Sequence, residues 1–181
     1  MAKNLIPPRH WLEDIVSTIQ RIFENVREIS TNLRPPVLDH QGILVTIHWF
    51  CRQFQRIHSG IRLDKQLHMK EADVPESLKI VIYRVLQEAL NRLVKHAKPD
   101  HIRISLKEAD DTIYLSIEGD GQGFDIDEIL SEENSAWGGG FVSMIERVKL
   151  SGGVFSAESK KGTGAVIRAS WPCQKKPPFE Q

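Results

Sequence analysis

Between 81 and 97 the chain reads VIYRVLQEALNRLVKHA, and its polar residues repeat at a fixed interval. Glu88, Asn91, Arg92 and Lys95 stand at i, i+3, i+4 and i+7, so a helix puts them on one face. That face offers a carboxylate, an amide and two cations in a row. Further along come GDGQGFD at 119–125, WGGGF at 137–141 and SKKGTG at 159–164. Backbone N–H groups can approach phosphate oxygens closely only where no Cβ intervenes. Three glycine-rich turns after one polar-faced helix therefore suit a nucleotide pocket. A blander reading stands beside this one: Glu88 and Arg92 have the i, i+4 spacing of an ordinary solvent-exposed ion pair.

Positioning these groups requires a packed framework, and the apolar pattern supplies one. Ile82, Val85, Leu86, Leu90, Leu93 and Val94 form the buried stripe of the polar-faced helix, which opens at Pro75 as a good first helical residue. Upstream, Asp39 is the predicted N-cap of a helix over 40–57 that buries Ile43, Leu44, Ile47, Cys51 and Phe54 and stops at Ser59-Gly60. Alternation predicts a strand at 61–67 and a hairpin of strands at 101–107 and 112–118, turning at Ala109-Asp110-Asp111. A short helix at 125–130, a flexible polar stretch at 131–135 and a helix at 140–150 follow. Gly152-Gly153 turns into a strand at 154–158, and 165–171 closes the sheet. The order predicts an α+β fold, a two-layer sandwich whose mostly antiparallel mixed sheet carries helices on one face.

Ahead of this lies a segment of different character. From 10 to 33, Ile15, Ile19, Ile22, Val26, Ile29 and Leu33 recur at alternating gaps of four and three, a heptad seam that predicts a long helix packed on a partner helix. Trp11 and Phe23 widen the stripe, so packing on its own domain is the competing expectation. The prolines of LRPPVLD at 33–39 end that helix.

Charge excludes several function classes. The 24 Lys and Arg balance 24 Asp and Glu, so no long-range field favours nucleic acid or an acidic membrane. No apolar run approaches the ~20 residues that span a bilayer, and no signal-peptide core opens the chain, so a cytoplasmic location is expected. Cys51 and Cys173 read as unpaired thiols in a reducing compartment, and the seven histidines show no metal-ligand spacing.

Taken together, the blocks resemble the ATP-binding domain of sensor histidine kinases of two-component systems. EALNRLVKHA at 88–97 is similar to the N box of a subfamily reading E-A-L-N-N-x-x-K-H-A. GDGQGF is similar to its G1 box, GGGFVSMIERV at 138–148 to its G2 box, and SGGVFSAESKKGTG at 151–164 to its closing strand and turn. Four blocks in this order over 61–172 carry the resemblance. LRPPVLD resembles the subfamily's L-R-P-x-x-L linker, which implies that 1–34 is part of a dimerisation and phosphotransfer hairpin, 35–173 the ATP-binding domain, and 174–181 a disordered tail. The hairpin's other helix, bearing the phosphate-accepting histidine, is not among these residues; His10 is followed by Trp11 rather than an acidic residue.

The resemblance also implies roles. Glu88 stands where an acidic or amide residue orients or deprotonates the reacting group. Arg92 stands where an asparagine ligates magnesium, with Asn91 one position off. Lys95 and His96 match phosphate-contacting residues. Gly121 and Gly123 match the G1 glycines, but Gly119 occupies the place of the adenine-binding aspartate and Asp120 is one step along. Gly138, Gly139 and Gly140 imply a mobile lid, with Ser143 at a later glycine position. Gly162, Thr163 and Gly164 form the last turn, with Ala165 where the family has threonine. The implied ligand is ATP, held weakly, and Arg92 argues against an ordinary Mg2+ site. Implied partners are a second copy through the N-terminal helix and a response-regulator receiver domain. No nucleic acid or membrane contact is expected of these residues, although a longer protein carrying them could be membrane-anchored. The alternative function is a degenerate, non-catalytic module that relays a signal or docks a partner.

Overall fold

The computed structural model describes residues 34–125, 138–160 and 162–173. The predicted 10–33 helix, the helix predicted at 125–130 beyond Asp125, the 131–135 stretch and the tail from 174 lie outside the described residues.

Helix α1 (Pro36–Ile57) starts earlier than the sequence predicts, with Pro35 as its N-cap in an extended conformation and Pro36 in the first turn. Proline presets the helical φ and gives up an N–H that would be unsatisfied there anyway. Asp39 is therefore not the cap: it lies in the first turn and accepts a hydrogen bond from Arg34 Nε at 2.7 Å. At Gly42 (φ 79°, ψ −177°) the helix breaks and restarts. The new N-terminus exposes amides that need acceptors, and Glu71 supplies both. Its Oε1 accepts from Ile43 N at 2.9 Å and its Oε2 from Leu44 N at 3.0 Å. Lys79 Nζ lies 3.0 Å from Glu71 Oε1 and 2.8 Å from Glu76 Oε2. A Cβ on residue 42 would fall inside the Glu71 carboxyl group, so glycine is required there both by conformation and by space.

Strand β1 (Arg62–His68) leads through a single 3-10 turn at Glu71–Asp73 into α2 (Glu76–Arg92) and then β2 (His101–Ala109). β1 pairs parallel with β2, so the chain must cross over between them, and α2 is that crossover. This is why the polar-faced helix lies flat on the sheet. β3 (Thr112–Gly119) returns antiparallel through Asp110 and Asp111, both left-handed at φ 50° and 55°. Two positive φ values in a two-residue loop match the twist of paired strands. Helix α3 (Gly138–Leu150), β4 (Val154–Lys160) and β5 (Gly164–Pro172) complete a sheet of order β1-β2-β3-β5-β4, antiparallel except for the first pair.

Alternation puts Ile102, Ile104, Leu106, Ile113, Leu115, Ile117, Ile167 and Trp171 on the helix-covered face, all of them buried. Helix α2 meets them with Ile82, Val85, Leu86, Ala89, Leu90 and Leu93, and packs against both α1 and α3. Trp171 Nε1 donates to Ser151 Oγ at 2.8 Å, fastening the end of α3 to the last strand. The opposite face of the sheet is polar and carries no helix among the described residues. The architecture is the predicted α+β sandwich, and no described helix is long and apolar enough to cross a membrane.

Candidate nucleotide site

The polar face of α2 is not simply solvated. Glu88 is half-buried and Arg92 is only 8% exposed. Arg92 Nε donates to Glu88 Oε1 at 2.7 Å, the i, i+4 pair foreseen from spacing. What spacing did not show is its cover. The first turn of α3 lies against this pair so closely that a Cβ on Gly140 would overlap Glu88 Oε1 and Arg92 Nη2.

Gly138, Gly139 and Gly140, expected as a lid, form the first turn of α3. A run of glycines reads as loop because each costs about 1 kcal/mol in a helix. The cost is offset here by the close approach at Gly140 and by Phe141, Met144 and Val148, which anchor the helix in the core. Their three- and four-residue spacing was the signal in the sequence. Ser143 is half-buried on this helix.

At its C-terminal end α2 widens into a π-helical turn, Leu93–Ala97, closed by Lys98 in a left-handed conformation (φ 47°). Lys95 and Asn91 are exposed, whereas His96 is buried with its ring edge-on to Phe124 at 6.4 Å between centroids. Burial, then the charges of Arg92 and Lys95, push the His96 imidazole below its usual pKa.

Backbone hydrogen bonds bring the other blocks to this end. Gln122 N donates to Ala97 O at 2.7 Å, and Gly162 N donates to Gln122 O at 2.7 Å. Gly121 is obligatory because a Cβ there would run into the Ala97 carbonyl, and Gly164 because a Cβ would meet that of Gly119. Ser159 Oγ accepts from Phe124 N at 2.8 Å and donates to Gly164 O at 3.1 Å. Gly123 is buried at φ 66°, while Gly162 (φ 86°) and Thr163 are exposed, with open space beside the Gly162 Cα. Residues 95–97, 119–124, 159–160 and 162–164, far apart in sequence, thus form one backbone-stitched corner.

Asp120 has another task. Its Oδ1 accepts from Asp100 N at 3.0 Å and His101 N at 2.9 Å, fixing the start of β2. Gly119 is the buried residue of the pair, facing Leu93 and Pro99. A hollow of about 510 Å³ lies elsewhere, on the helix-free sheet face beside Ser105, Ser116, Ser156 and Arg168, and none of the glycine stretches lines it.

Residues 78–175 match the family profile described as histidine kinase-, DNA gyrase B- and HSP90-like ATPase, a span that takes in all but the first two residues of α2, the corner and both closing strands. The chain belongs to this ATPase family. Among relatives, it is 31% identical over 161 residues to the signal transduction histidine-protein kinase/phosphatase DegS of Brevibacillus brevis, covering 89% of this chain and 40% of that one. It is 27% identical over 169 residues to the oxygen sensor histidine kinase NreB of Staphylococcus carnosus, covering 93% and 46%. The chain spans less than half the length of these relatives.

Solved histidine kinases share the fold. The histidine kinase domain of the Erythrobacter litoralis blue-light activated kinase superposes with TM-score 0.52 at 19% identity over 63% of this chain and 52% of that one. AdeS of Acinetobacter baumannii superposes with TM-score 0.56 at 12% identity over 95% and 89%.

Histidine kinase-type ATPases generally pair ATP with Mg2+, and the α2 position at which the resemblance implies a metal-ligating asparagine holds the Arg92 guanidinium, which has donors but no lone pair for a cation. Glu88, the carboxylate of the α2 face, already carries a guanidinium counter-charge.

Proposed function

We propose that this chain is the catalytic, ATP-binding part of a two-component sensor histidine kinase. ATP sits over the corner formed by the end of α2, the 119–124 turn and the 159–164 turn, and its γ-phosphate passes to a histidine on a dimerisation helix and then to a receiver-domain aspartate. The observation that supports this most is the backbone chain Ala97–Gln122–Gly162, which joins the end of α2 and two glycine turns at one place within the span that matches the ATPase family.

Each residue then has a task. Lys95 supplies charge from the last turn of α2, and the backbone at Gly162, Thr163 and Gly164 lets phosphate oxygens come close. Gly121 and Gly123 shape the purine-side turn, while Asn91 and Arg92 border the phosphate side. Buried His96 shapes the wall beneath Lys95 and Phe124. Glu88 orients the incoming group, its carboxylate held by Arg92. Positioning and charge neutralisation carry phosphoryl transfer, so a rigid corner is the main requirement. Binding is weak, because Gly119 offers no side chain for the adenine amino group and a missing charge-assisted hydrogen bond costs about ten- to a hundred-fold in affinity.

Calorimetric titration of the purified chain with ATP tests this. Saturable binding that Lys95→Glu weakens supports it, whereas no saturable heat at any accessible concentration contradicts it and favours a non-catalytic relay module.

A further inference from the structure

The disagreement between this donor set and a divalent cation has a positive counterpart. We propose that Arg92 takes the place of the metal ion, so that the site accepts the phosphate chain of ATP without a divalent cation. The inference rests on the nucleotide reading above and deepens it.

Three observations carry it. Arg92 is a cation fixed in a buried position, not a mobile surface charge: it is 8% exposed and tied through Nε to Glu88 Oε1 at 2.7 Å. A guanidinium holds five N–H donors in one rigid plane that matches phosphate geometry, and it never deprotonates. Its Nη2 end lies against Gly140, where the absence of a Cβ lets the first turn of α3 reach it. Positive charge is therefore supplied by the chain where α2 and α3 meet.

The surrounding field points the same way. Arg92 and Lys95 both depress the protonation of His96, and Arg147 on α3 adds to the effect of burial on Arg84, one turn before Glu88. Arg84, Arg92 and Lys95 thus border this helix face together with Arg147 of α3 and the carboxylate of Glu88. Such a field opposes a divalent cation and favours a polyanion. Glu88 acquires a second purpose: its bond orients the Arg92 fork and prevents the buried charge from standing alone.

The test is calorimetric titration with ATP in EDTA and, separately, in excess Mg2+. The proposal predicts dissociation constants within about threefold of each other. Arg92→Asn should lose about tenfold or more of the affinity in EDTA and regain part of it when Mg2+ is added. Arg92→Lys keeps the charge but not the fork, and should fall between the two; far-UV circular dichroism establishes that each variant is folded. If wild-type binding requires Mg2+, Arg92 does not replace the ion, although the nucleotide site survives. If ATP binds in neither buffer, both the inference and the nucleotide reading fail. If Arg92→Asn folds and binds in EDTA like wild type, the inference alone fails.

Discussion

Replacing Gly42 by alanine should destabilise the fold far more than one methyl group suggests, and removing Glu71 should relieve part of the damage. Gly42 lies at φ 79°, ψ −177°, a region essentially restricted to glycine, where an L side chain costs about 1–3 kcal/mol. Its new Cβ would also displace the Glu71 carboxylate, which bonds the Ile43 and Leu44 amides, and loss of an N-cap costs about 0.5–2 kcal/mol. Gly42→Ala is expected to cost about 2–4 kcal/mol. Glu71→Ala alone should cost about 1–2 kcal/mol, since its partly exposed ion pair with Lys79 adds little. In the double variant the clash has vanished and the backbone strain adds to a cap loss that both single variants already contain, so the effects should fall short of additivity by about 1 kcal/mol. Urea denaturation followed by circular dichroism measures all four corners of the cycle. Strict additivity would refute the idea that Glu71 grips the restarted helix across Gly42.

The remaining predictions concern acid stability, the corner, the adenine position and the thiols. Burial would raise the Glu71 pKa, but the amides of Leu44 and Ile43 together with Lys79 outweigh it and hold it below its ordinary 4.5. A depressed carboxylate contributes stability above its unfolded pKa and loses it as pH falls through the folded value. The wild type should therefore lose stability more steeply than Glu71→Ala below about pH 4.5, read from urea midpoints across pH. Gly121→Ala places a Cβ on the Ala97 carbonyl and should cost about 2 kcal/mol or more while abolishing ATP binding, as thermal melts and titration would show. Gly119→Asp meets Pro99 and Leu93 at 3.3–3.5 Å, a tight but yielding fit, and should strengthen ATP binding about tenfold or more in the same titration. Burial pushes the Cys51 thiol up to about 12 and raises that of half-buried Cys173 less, so Cys173 should react first with a thiol reagent on the native protein and Cys51 only on unfolding.

Periodicity made most of the fold legible. Ile102, Ile104, Leu106 and Ile113, Leu115, Ile117 alternate because one sheet face is covered, and the stripe from Ile82 to Leu93 repeats because α2 lies on that face. Strand starts and stops shifted by a residue or two, since local pattern does not encode where pairing ends. The parallel pairing of β1 with β2 was not foreseen, because register and direction between distant strands leave no local trace.

The site was legible as a set of blocks but not as a geometry. Gly121, Gly162 and Gly164 were recognisable as turns, yet the reason two of them must be glycine is a carbonyl on another segment, Ala97 or Gly119. Arg92 read as an exposed partner of Glu88 because the helix wheel knows nothing of α3. Gly140 supplied no side chain to announce the contact. Glu71 was invisible for the same reason: a carboxylate 28 residues away caps a helix that glycine interrupts. The tertiary neighbour, in each case, overrode what local propensity indicated.

Backbone amide shifts of the isotope-labelled chain titrated with ATP address the central claim most directly. If the end of α2 and the two glycine turns form the nucleotide site, the perturbed amides cluster at 95–97, 121–124 and 162–164. Shifts confined to the helix-free sheet face around Ser105, Ser116 and Arg168, or no shifts at saturating ATP, would contradict it.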